Sequence, residues 1–496
     1  MRKRFTVEME LGQKPIEEVE ITIKSRDELP PTLRALQWIF KNEDIRDQIL
    51  EILEKKVICG KKQTGRTGME LWQILVLGVT RLSLDCNYDR LEYLAHYDML
   101  VRQMMGLPKR LGEGEEFGKK FHQKTISDNV KHIDEEMLKQ INEIVAKAGS
   151  TLLLKKNEKN ELKSDSYVLE SNVHFPTDYN LLWDAGRKSI ILAERLCKKY
   201  KEQGWRKCKD WEKRLKSIMR SCGRIQRGGG KNKEERIKRI KSKTKEYLKI
   251  ASELDRKVRD ITEKLNKKIM NRMDEEAFIE LQYFHYMLVK HINLIERRVI
   301  RGEIIPHEEK VFSLFEPHTE WINKGKSHPQ VELGHKILLT TNQYSLIVDY
   351  KVMSQSIDAK EVKELKERVL KKLDEEIASM SFDKGFSTRE NMELLDTTIF
   401  EVMMQKKGRL NLDDKAREAT RRFKELKNRH NAVESDINCL EHHGLNRCPD
   451  KGLKGYVRYV GLGILAYNLH KIGNYLQQKK RQEYMQKQKM RIKQAA

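Results

Sequence analysis

Apolar residues near the amino terminus alternate with polar ones over two short stretches. The alternating positions are Phe5, Val7, Met9, Leu11, Val19, Ile21 and Ile23. A period of two residues is that of a β-strand with one buried face. Because a Gly12–Pro15 segment with turn-forming residues separates the two stretches, the pattern predicts a small β-hairpin.

Further along, apolar residues recur every three or four positions, which is the period of an amphipathic helix. The predicted helices cover 32–54, 68–83, 88–106 and 125–148. Thr125 or Ser127, and later Asp134, suit the N-cap positions because their side chains can accept hydrogen bonds from free main-chain N–H groups. We therefore expect residues 1–150 to form a mainly helical N-terminal domain that serves DNA binding or assembly.

The period returns to two at "KSDSYVLESNVHF", which predicts a strand with Asp165, Tyr167 and Leu169 on one face. Residues 178–310 then follow a helical pattern again. Apolar stripes between 254 and 299 suit packing within the monomer and dimerisation equally well. We interpret 178–310 as a large helical insertion after the first core strand.

Strands reappear after residue 311. "VELGHKILLTTN" and "YSLIVDYKVMSQ" predict two strands, and a helix over 358–378 leads to a short strand ending before Asp383. A short helix at 387–395, a strand at "TTIFEVMMQ" and two helices at 413–443 and 453–476 complete the pattern. Without the insertion, residues 160–177 and 311–476 form an α/β core, a mixed sheet flanked by helices, and 477–496 form a basic tail.

The net charge of the chain indicates what kind of molecule it binds. The chain has 99 Lys and Arg against 75 Asp and Glu, a net charge of +24, which indicates a polyanion such as nucleic acid. Residues 198–249 alone carry 21 basic and 6 acidic side chains. The glycines of "CGRIQRGGGKNK" lack the Lys and Ser/Thr of a phosphate-binding loop, so this segment is predicted to be a basic turn. The candidate DNA-binding residues are Lys207, Arg214, Arg224, Arg227, Lys231, Arg236 and Arg239.

Cysteine usage and hydropathy bear on the compartment. The seven cysteines are odd in number and form no CxxC pair, which is typical of a reducing environment. The chain begins without a signal-peptide pattern, and the longest apolar run, "LWQILVLGVTRLSL", is interrupted by Arg81. We expect a soluble intracellular protein.

Three carboxylates stand at positions that can converge. Asp165 lies on the first core strand, Asp383 at the carboxyl end of the fourth, and Glu434 beside the apolar stripe of a later helix. Carboxylates that meet at a sheet edge repel one another unless a cation is present, and Mg²⁺ or Mn²⁺ prefers such oxygen ligands. A pair of these ions can promote phosphoryl displacement, so a nucleic-acid phosphodiester is the expected substrate. Asp383 can also be read as a cap of the helix at 387–395.

At these residues the sequence resembles the DDE transposases of bacterial insertion sequences, which have an RNase H-like catalytic core. The strings that carry the resemblance are "SDSYVLESNVHFPTDYNLLWDAGR", "SLFEPHTEWINKGKSHPQVELGHKI", "SFDKGFSTREN" and "RHNAVESDINCLEHHGLNRCPDKG", in the family's order. "TGRTGMELWQILVLGVTRLSLDCNYDRLEYL" is similar to the helical domain that precedes this core.

The resemblance implies that Asp165, Asp383 and Glu434 are the catalytic, metal-binding acids, with two Mg²⁺ or Mn²⁺ ions. It implies cleavage of double-stranded DNA at terminal inverted repeats, followed by attack of the freed 3′ hydroxyl on target DNA. A homodimer on the DNA and a bacterial, nucleoid-associated cytoplasmic location are further implications. No covalent enzyme–DNA intermediate is implied.

The sequence departs from the best-known branch of this family. Lys427 and His430 stand where Tyr and Arg accompany the third acid, and Glu441 stands where Lys does. Arg429 is one residue from the Arg position, so Arg429, His430 and Lys384 are candidate supporting residues. The insertion also follows the first strand, whereas in that branch it follows the last.

Alternatives remain at the level of residues and of function. Asp358 also follows a strand and competes with Asp383 for the role of second acid, although it ranks lower as a helix cap. A further hypothesis is a zinc site; the side chains concerned are Cys439, His442, His443 and Cys448. A related metal-dependent nuclease and a non-catalytic basic DNA-binding protein are the alternative functions.

Overall fold

The chain divides into two compact units in the computed structural model. The model describes residues 2–6, 8–9, 13–58, 68–108, 121–228, 233–268, 270–323, 330–373 and 377–495. One unit comprises Met1–Asn172 together with Ile322–Ala496, and the other comprises Val173–Trp321. The first unit contains a sheet flanked by helices and the second is mainly helical, which confirms the mixed α/β class.

Among the residues that the structure describes, seven helices precede the first long strand. They are α1 (Leu29–Lys41), α2 (Glu43–Val57), α3 (Leu71–Ser83), α4 (Tyr88–Tyr97), α5 (Met99–Met104), α6 (Gln123–Val130) and α7 (Glu135–Leu153). The predicted helix at 32–54 is two helices, because the backbone of Asn42 leaves the helical conformation and its side chain caps α2 at Ile45 N. Asp134 caps α7 through Met137 N, as predicted. Thr125 and Ser127 instead lie inside α6.

The predicted N-terminal hairpin is wrong. The described residues between 2 and 24 contain no strand, and a short 3₁₀ turn occupies Ile16–Glu18. Gln37 of α1 donates to the carbonyl oxygens of Ile16 and Val19 at 2.9 and 2.8 Å. Side chains thus satisfy main-chain groups that a partner strand would otherwise have paired. Val7 and Leu11 of the predicted strands lie outside the described residues.

In its described residues, the second unit has four long helices: α8 (Asp178–Tyr200), α9 (Cys208–Arg227), α10 (Lys233–Asn266) and α11 (Arg272–Ile295). Helix α11 continues through a wider π-helical turn at Glu296–Arg301 and ends at Gly302, which has a left-handed φ of 80°. The predicted apolar stripes pack inside this unit. Buried members of those stripes are Leu254, Val258, Ile261, Leu265, Leu281, Leu288 and Ile295.

The sheet of the first unit is mixed. Its strands are β1 (Asn160–Ser171), β2 (Glu320–Asn323), β3 (Val331–Thr341), β4 (Ile347–Val352), β5 (Ile377–Phe382), β6 (Glu401–Met404) and β7 (Arg447–Cys448). The order is β2-β3-β1-β5-β6, with β4 also paired to β3 and β7 to β1. Strand β1 runs antiparallel to β3 and parallel to β5, and β6 runs parallel to β5. Strand β1 therefore lies between β3 and β5, with a paired strand on each side.

Six helices complete the first unit: α12 (Asp358–Lys372), α13 (Arg389–Asp396), α14 (Leu412–Ala419), α15 (Arg421–His430), α16 (Ala432–Leu440) and α17 (Gly452–Ala495). The single helix predicted at 413–443 is therefore three, followed by a π-helical turn at Glu441–Leu445. Thr420 separates α14 from α15 because its side chain caps α15 at Phe423 N. Helix α17 runs well beyond the predicted end at residue 476.

Alternate residues of β1 belong to different cores. Tyr167 and Leu169 join the N-terminal helices and the first half of α17 in one cluster. On the opposite side of the sheet, Leu162 and Leu338 pack with the apolar face of α12. Buried residues of α17 occur between Gly455 and Gln477, and the residues from Gln478 to Arg491 are exposed. A search of the described helices for one with the length and apolar character to cross a membrane finds none.

Candidate active site

Strands β1 and β5 bring two predicted acids to one edge of the sheet. Ser164 of β1 is paired with Phe382, the last residue of β5. Asp165 directly follows Ser164, and Asp383 directly follows Phe382. Because the two strands are parallel, both aspartates come next in the same direction. The sequence prediction that these strands are neighbours is therefore confirmed.

Asp165 is partly buried and lies among like charges. Its Oδ1 accepts a hydrogen bond from Ser166 N at 2.7 Å. Its pKa is raised to about 6, mainly by burial and also by the negative charges of Asp383, Asp358 and Glu434, whereas the Ser166 hydrogen bond lowers it. The other two predicted acids thus lie within electrostatic reach of Asp165, and so does Asp358.

Asp383 does not cap the helix that follows it. Helix α13 is capped by Thr388, whose Oγ1 accepts from Asn391 N at 3.1 Å. Asp383 precedes a 3₁₀ turn at Lys384–Phe386 and makes no side-chain cap there. The interpretation of Asp383 as a cap is therefore wrong. In the described part of the chain its exposed carboxylate has no hydrogen bond or ion pair, so its oxygen lone pairs face solvent.

Asp358, the lower-ranked candidate for the second acid, also lies next to the site. It is the first residue of α12, and its Oδ1 accepts from Ser166 Oγ at 2.8 Å. Lys336 Nζ lies 3.2 and 3.1 Å from its two oxygens. A Cβ on Gly385, two residues after Asp383, would lie 3.3 Å from Asp358 Oδ2. Asp358 thus contacts β1 through Ser166, lies beside the turn that follows β5, and is neutralised by Lys336 of β3.

Glu434 reaches the site from α16. Val433 and Leu440 of that helix are buried, which leaves Glu434 exposed at the edge of the apolar face, as the stripe predicted. Within the described residues its carboxylate has no hydrogen bond or ion pair. Its charge nevertheless contributes to the raised pKa of Asp165.

The supporting candidates lie in different surroundings. His430 Nδ1 is 3.0 Å from Ser381 Oγ, and burial lowers the pKa of His430 to about 4 despite the nearby charge of Asp383. At neutral pH this imidazole is uncharged. Arg429 turns away from the acids and pairs with Glu161. Lys384 is exposed next to Asp383.

The candidate DNA-binding residues lie on α9, α10 and the segment between them. Lys207, Arg224 and Arg227 are exposed, and no ion pair holds them within the described residues. The other described candidates are engaged: Arg214 pairs with Glu253 at 3.4 Å, Arg236 donates to Gln226 O, and Arg239 pairs with Glu235. Lys231 lies outside the described residues.

A metal cluster is not preformed in the described residues: no group of three or more His, Cys, Asp or Glu side chains there is arranged to hold an ion. The zinc hypothesis has no support, because His443 Nδ1 faces Ser83 O at 3.4 Å and Cys448 Sγ donates to Asp450 O at 3.7 Å.

The donor type of the sheet-edge site does fit Mg²⁺ or Mn²⁺. Carboxylate oxygens are their preferred protein ligands, and those of Asp383 and Glu434 have no protein hydrogen-bond or ion-pair partner in the described part of the chain.

Three comparisons with known proteins were made. No family model, no curated protein and no solved structure matches this chain.

Proposed function

We propose that this protein is a DNA transposase with an RNase H-like core, which cleaves DNA at the terminal inverted repeats of an insertion sequence and joins the 3′ ends to target DNA. The observation that carries the proposal is the electrostatic environment of Asp165. Asp383 and Glu434, chosen from the sequence as its partners, are among the charges that raise its pKa. A mixed sheet with helices on its faces also agrees with the proposed core.

Asp165, Asp383 and Glu434 are the residues that would hold Mg²⁺ or Mn²⁺. When bound, such ions activate the attacking oxygen and stabilise the leaving oxygen of a phosphodiester. The protein's part is to hold the carboxylates in place. Ser166 orients Asp165 through its main-chain N–H, and its hydroxyl holds Asp358 against the same strand.

Two basic groups next to the acids have distinct roles in the proposal. Lys336 neutralises Asp358 and limits the negative charge that the DNA phosphate meets. His430 is neutral at physiological pH, so it contributes a hydrogen-bonding ring rather than a charge near Asp383. Phosphate attraction falls instead to the general positive charge of the chain, +24, and to exposed residues such as Arg224 and Arg227.

The proposal is tested with a plasmid that carries the DNA flanking the coding sequence on both sides. Wild-type protein is incubated with it and with a target plasmid, in Mg²⁺, in Mn²⁺ and in EDTA. We expect nicks at defined end sequences and joined products only with a divalent ion. Cleavage without joining would favour the nuclease alternative instead.

Asp383→Asn is the diagnostic variant, and Asp396→Asn on α13 is its control, because it makes the same chemical change at an exposed site. We expect Asp383→Asn to bind the DNA and to cut it at least about 100-fold more slowly. Equal cutting by both variants would refute the metal-site assignment. Binding without cutting by the wild type in every ion would favour the non-catalytic alternative.

A further inference from the structure

The helical unit Val173–Trp321 contains a cavity of about 620 Å³. All of its lining residues lie between Phe175 and Trp321, in the strand-to-helix segment before α8, on α8, α9 and α11, and in the segment after α11. This volume is in the range of small-molecule sites, which hold ligands by apolar walls and a few placed polar groups. The lining of this cavity has both features.

Aromatic rings form one wall of the cavity. Trp321 lies between Phe175 and Phe312, with ring centroids 5.6 and 5.5 Å apart. His307 extends the row, with its ring 5.3 Å from that of Phe312. Phe175 is 57% exposed, although a ring of this size is normally covered. A row of rings that includes an exposed one offers stacking surface to a planar aromatic ligand.

His291, one of the residues that line the cavity, has a buried hydrogen-bond acceptor without a partner in the described residues. Its side chain is only 1% exposed, and Nδ1 lies 2.8 Å from Met287 O. Because a carbonyl can only accept, Nδ1 carries the proton and Nε2 is left as an acceptor. Nε2 has no partner within the described part of the chain, and burial lowers the pKa of His291, so the ring stays neutral. A ligand that donates an N–H would remove the cost of this unpaired buried atom.

The rim supplies a cation. Arg298 is engaged by Asp178 at 2.8 Å, whereas Lys310 is exposed and has no ion pair within the described residues. Both line the cavity. A ligand with an anionic group outside its ring can therefore contact Lys310 while the ring lies against the aromatic wall.

We propose that this cavity binds a nucleotide, with the base against Phe312 and Trp321, a base N–H donated to His291 Nε2, and the phosphate near Lys310. A base supplies the planar ring and the N–H donor, and the phosphate supplies the negative charge. The same chemistry is offered by a free mononucleotide and by an unpaired nucleotide of a DNA strand. The site does not depend on the carboxylates or on their proposed function.

Isothermal titration calorimetry on the full-length protein tests the site. The probes are AMP, GMP, CMP and dTMP, adenosine, inorganic phosphate and a short 5′-phosphorylated single-stranded DNA, at a salt concentration that screens exposed basic residues. We expect at least one mononucleotide to bind with a dissociation constant below about 1 mM, and inorganic phosphate to bind much more weakly. Binding of the strand alone, with the same dependence on His291, would assign the nucleotide to DNA.

Three variants locate the binding. His291→Leu should weaken the nucleotide about tenfold through loss of the buried acceptor, and Lys310→Ala should weaken it about threefold. Trp211→Leu removes a ring of α9 that does not line the cavity, and should leave binding unchanged. If His291→Leu does not fold, Lys310→Ala still tests the proposal, because Lys310 is exposed and its replacement leaves the fold intact. Absence of binding by the mononucleotides and by the DNA strand alike, phosphate binding as tight as AMP, or equal affinity in wild type, His291→Leu and Lys310→Ala would overturn the proposal.

Discussion

Asp349 and Asp165 are aspartates of the same sheet that are both shielded from water, but the charged groups around them are of opposite sign. Asp349 of β4 has a side chain with no exposed surface, and α12 supplies Arg368 at 2.8 Å and Lys372 at 2.6 Å. Asp165 of β1 has one main-chain N–H, and the nearby charges that shift its pKa are all negative. Asp349 is neutralised within the fold, whereas Asp165 has no cationic partner among the described residues, as the proposed metal site requires.

Asp358 is intermediate between them. It has one cation, Lys336, and one hydroxyl, Ser166 Oγ. Within the described part of the chain, the three aspartates therefore form a series in which the number of cationic partners falls from two to one to none. On the proposed function, the counter-charge rather than burial separates a structural carboxylate from a functional one.

The largest expected difference within this comparison concerns activity. Asp165→Asn should reduce metal-dependent nicking by about a thousandfold, because a ligand of the ions that stabilise the transition state is lost. An Asp349 variant that keeps its fold should retain the wild-type rate per folded molecule. Initial rates on a supercoiled plasmid, corrected for the folded fraction, measure both. Equal losses would remove the distinction between the two aspartates.

Stability should respond in the opposite way. Asp349→Asn leaves Arg368 and Lys372 partly buried without their counter-charge, so we expect the free energy of unfolding to fall by about 3 kcal/mol. Urea unfolding followed by circular dichroism measures this change. Asp396→Asn serves as the exposed control and should change stability by less than about 0.5 kcal/mol.

The pH dependence of stability isolates Asp165. Its pKa of about 6 in the folded protein exceeds the ordinary 3.8, so the folded state binds the proton more tightly and stability falls as pH rises through this interval. In EDTA, Asp165→Asn should match the wild type below about pH 4 and exceed it by about 3 kcal/mol above about pH 6. Urea unfolding at pH 4, 5, 6 and 7 provides the measurement. A difference independent of pH would contradict the raised pKa.

The smallest effect is expected at Lys336. Lys336→Met should lower the free energy of unfolding by about 1 kcal/mol, because Asp358 keeps the Ser166 hydroxyl and is partly solvated. Thermal unfolding at neutral pH gives the value. A loss as large as that of Asp349→Asn would place Asp358 with the structural carboxylates.

The sequence predicted those parts of the site that depend on local pattern. Alternation around Asp165 and the strand end before Asp383 were sufficient to identify two strands that the fold pairs in parallel. The contacts of Asp358 with Ser166 of β1 and Lys336 of β3 could not be predicted, because these residues are distant from it in sequence. No periodicity contains that information.

The misjudged elements have equally specific causes. The N-terminal alternation reflects core packing of residues such as Val19, and the polar contacts that replace a partner strand come from Gln37 of α1. The break at Thr420 did have a local signal, a Thr cap, which the continuous apolar stripe obscured. The unpaired acceptor of His291 could not be seen at all, because enclosure is a property of several packed segments together.

Helix α17 has a consequence for how its exposed end remains ordered. Starting a helix is unfavourable, whereas extending one already formed costs little. Residues such as Tyr459 and Ile472 fix the first half in the core, so they act as the nucleus for the exposed, basic turns beyond Gln478. Those turns make no core of their own, and as a separate peptide they would be largely unfolded in water. The last turns are therefore helical only because the buried half of α17 nucleates them, and fraying increases with distance from Ile472.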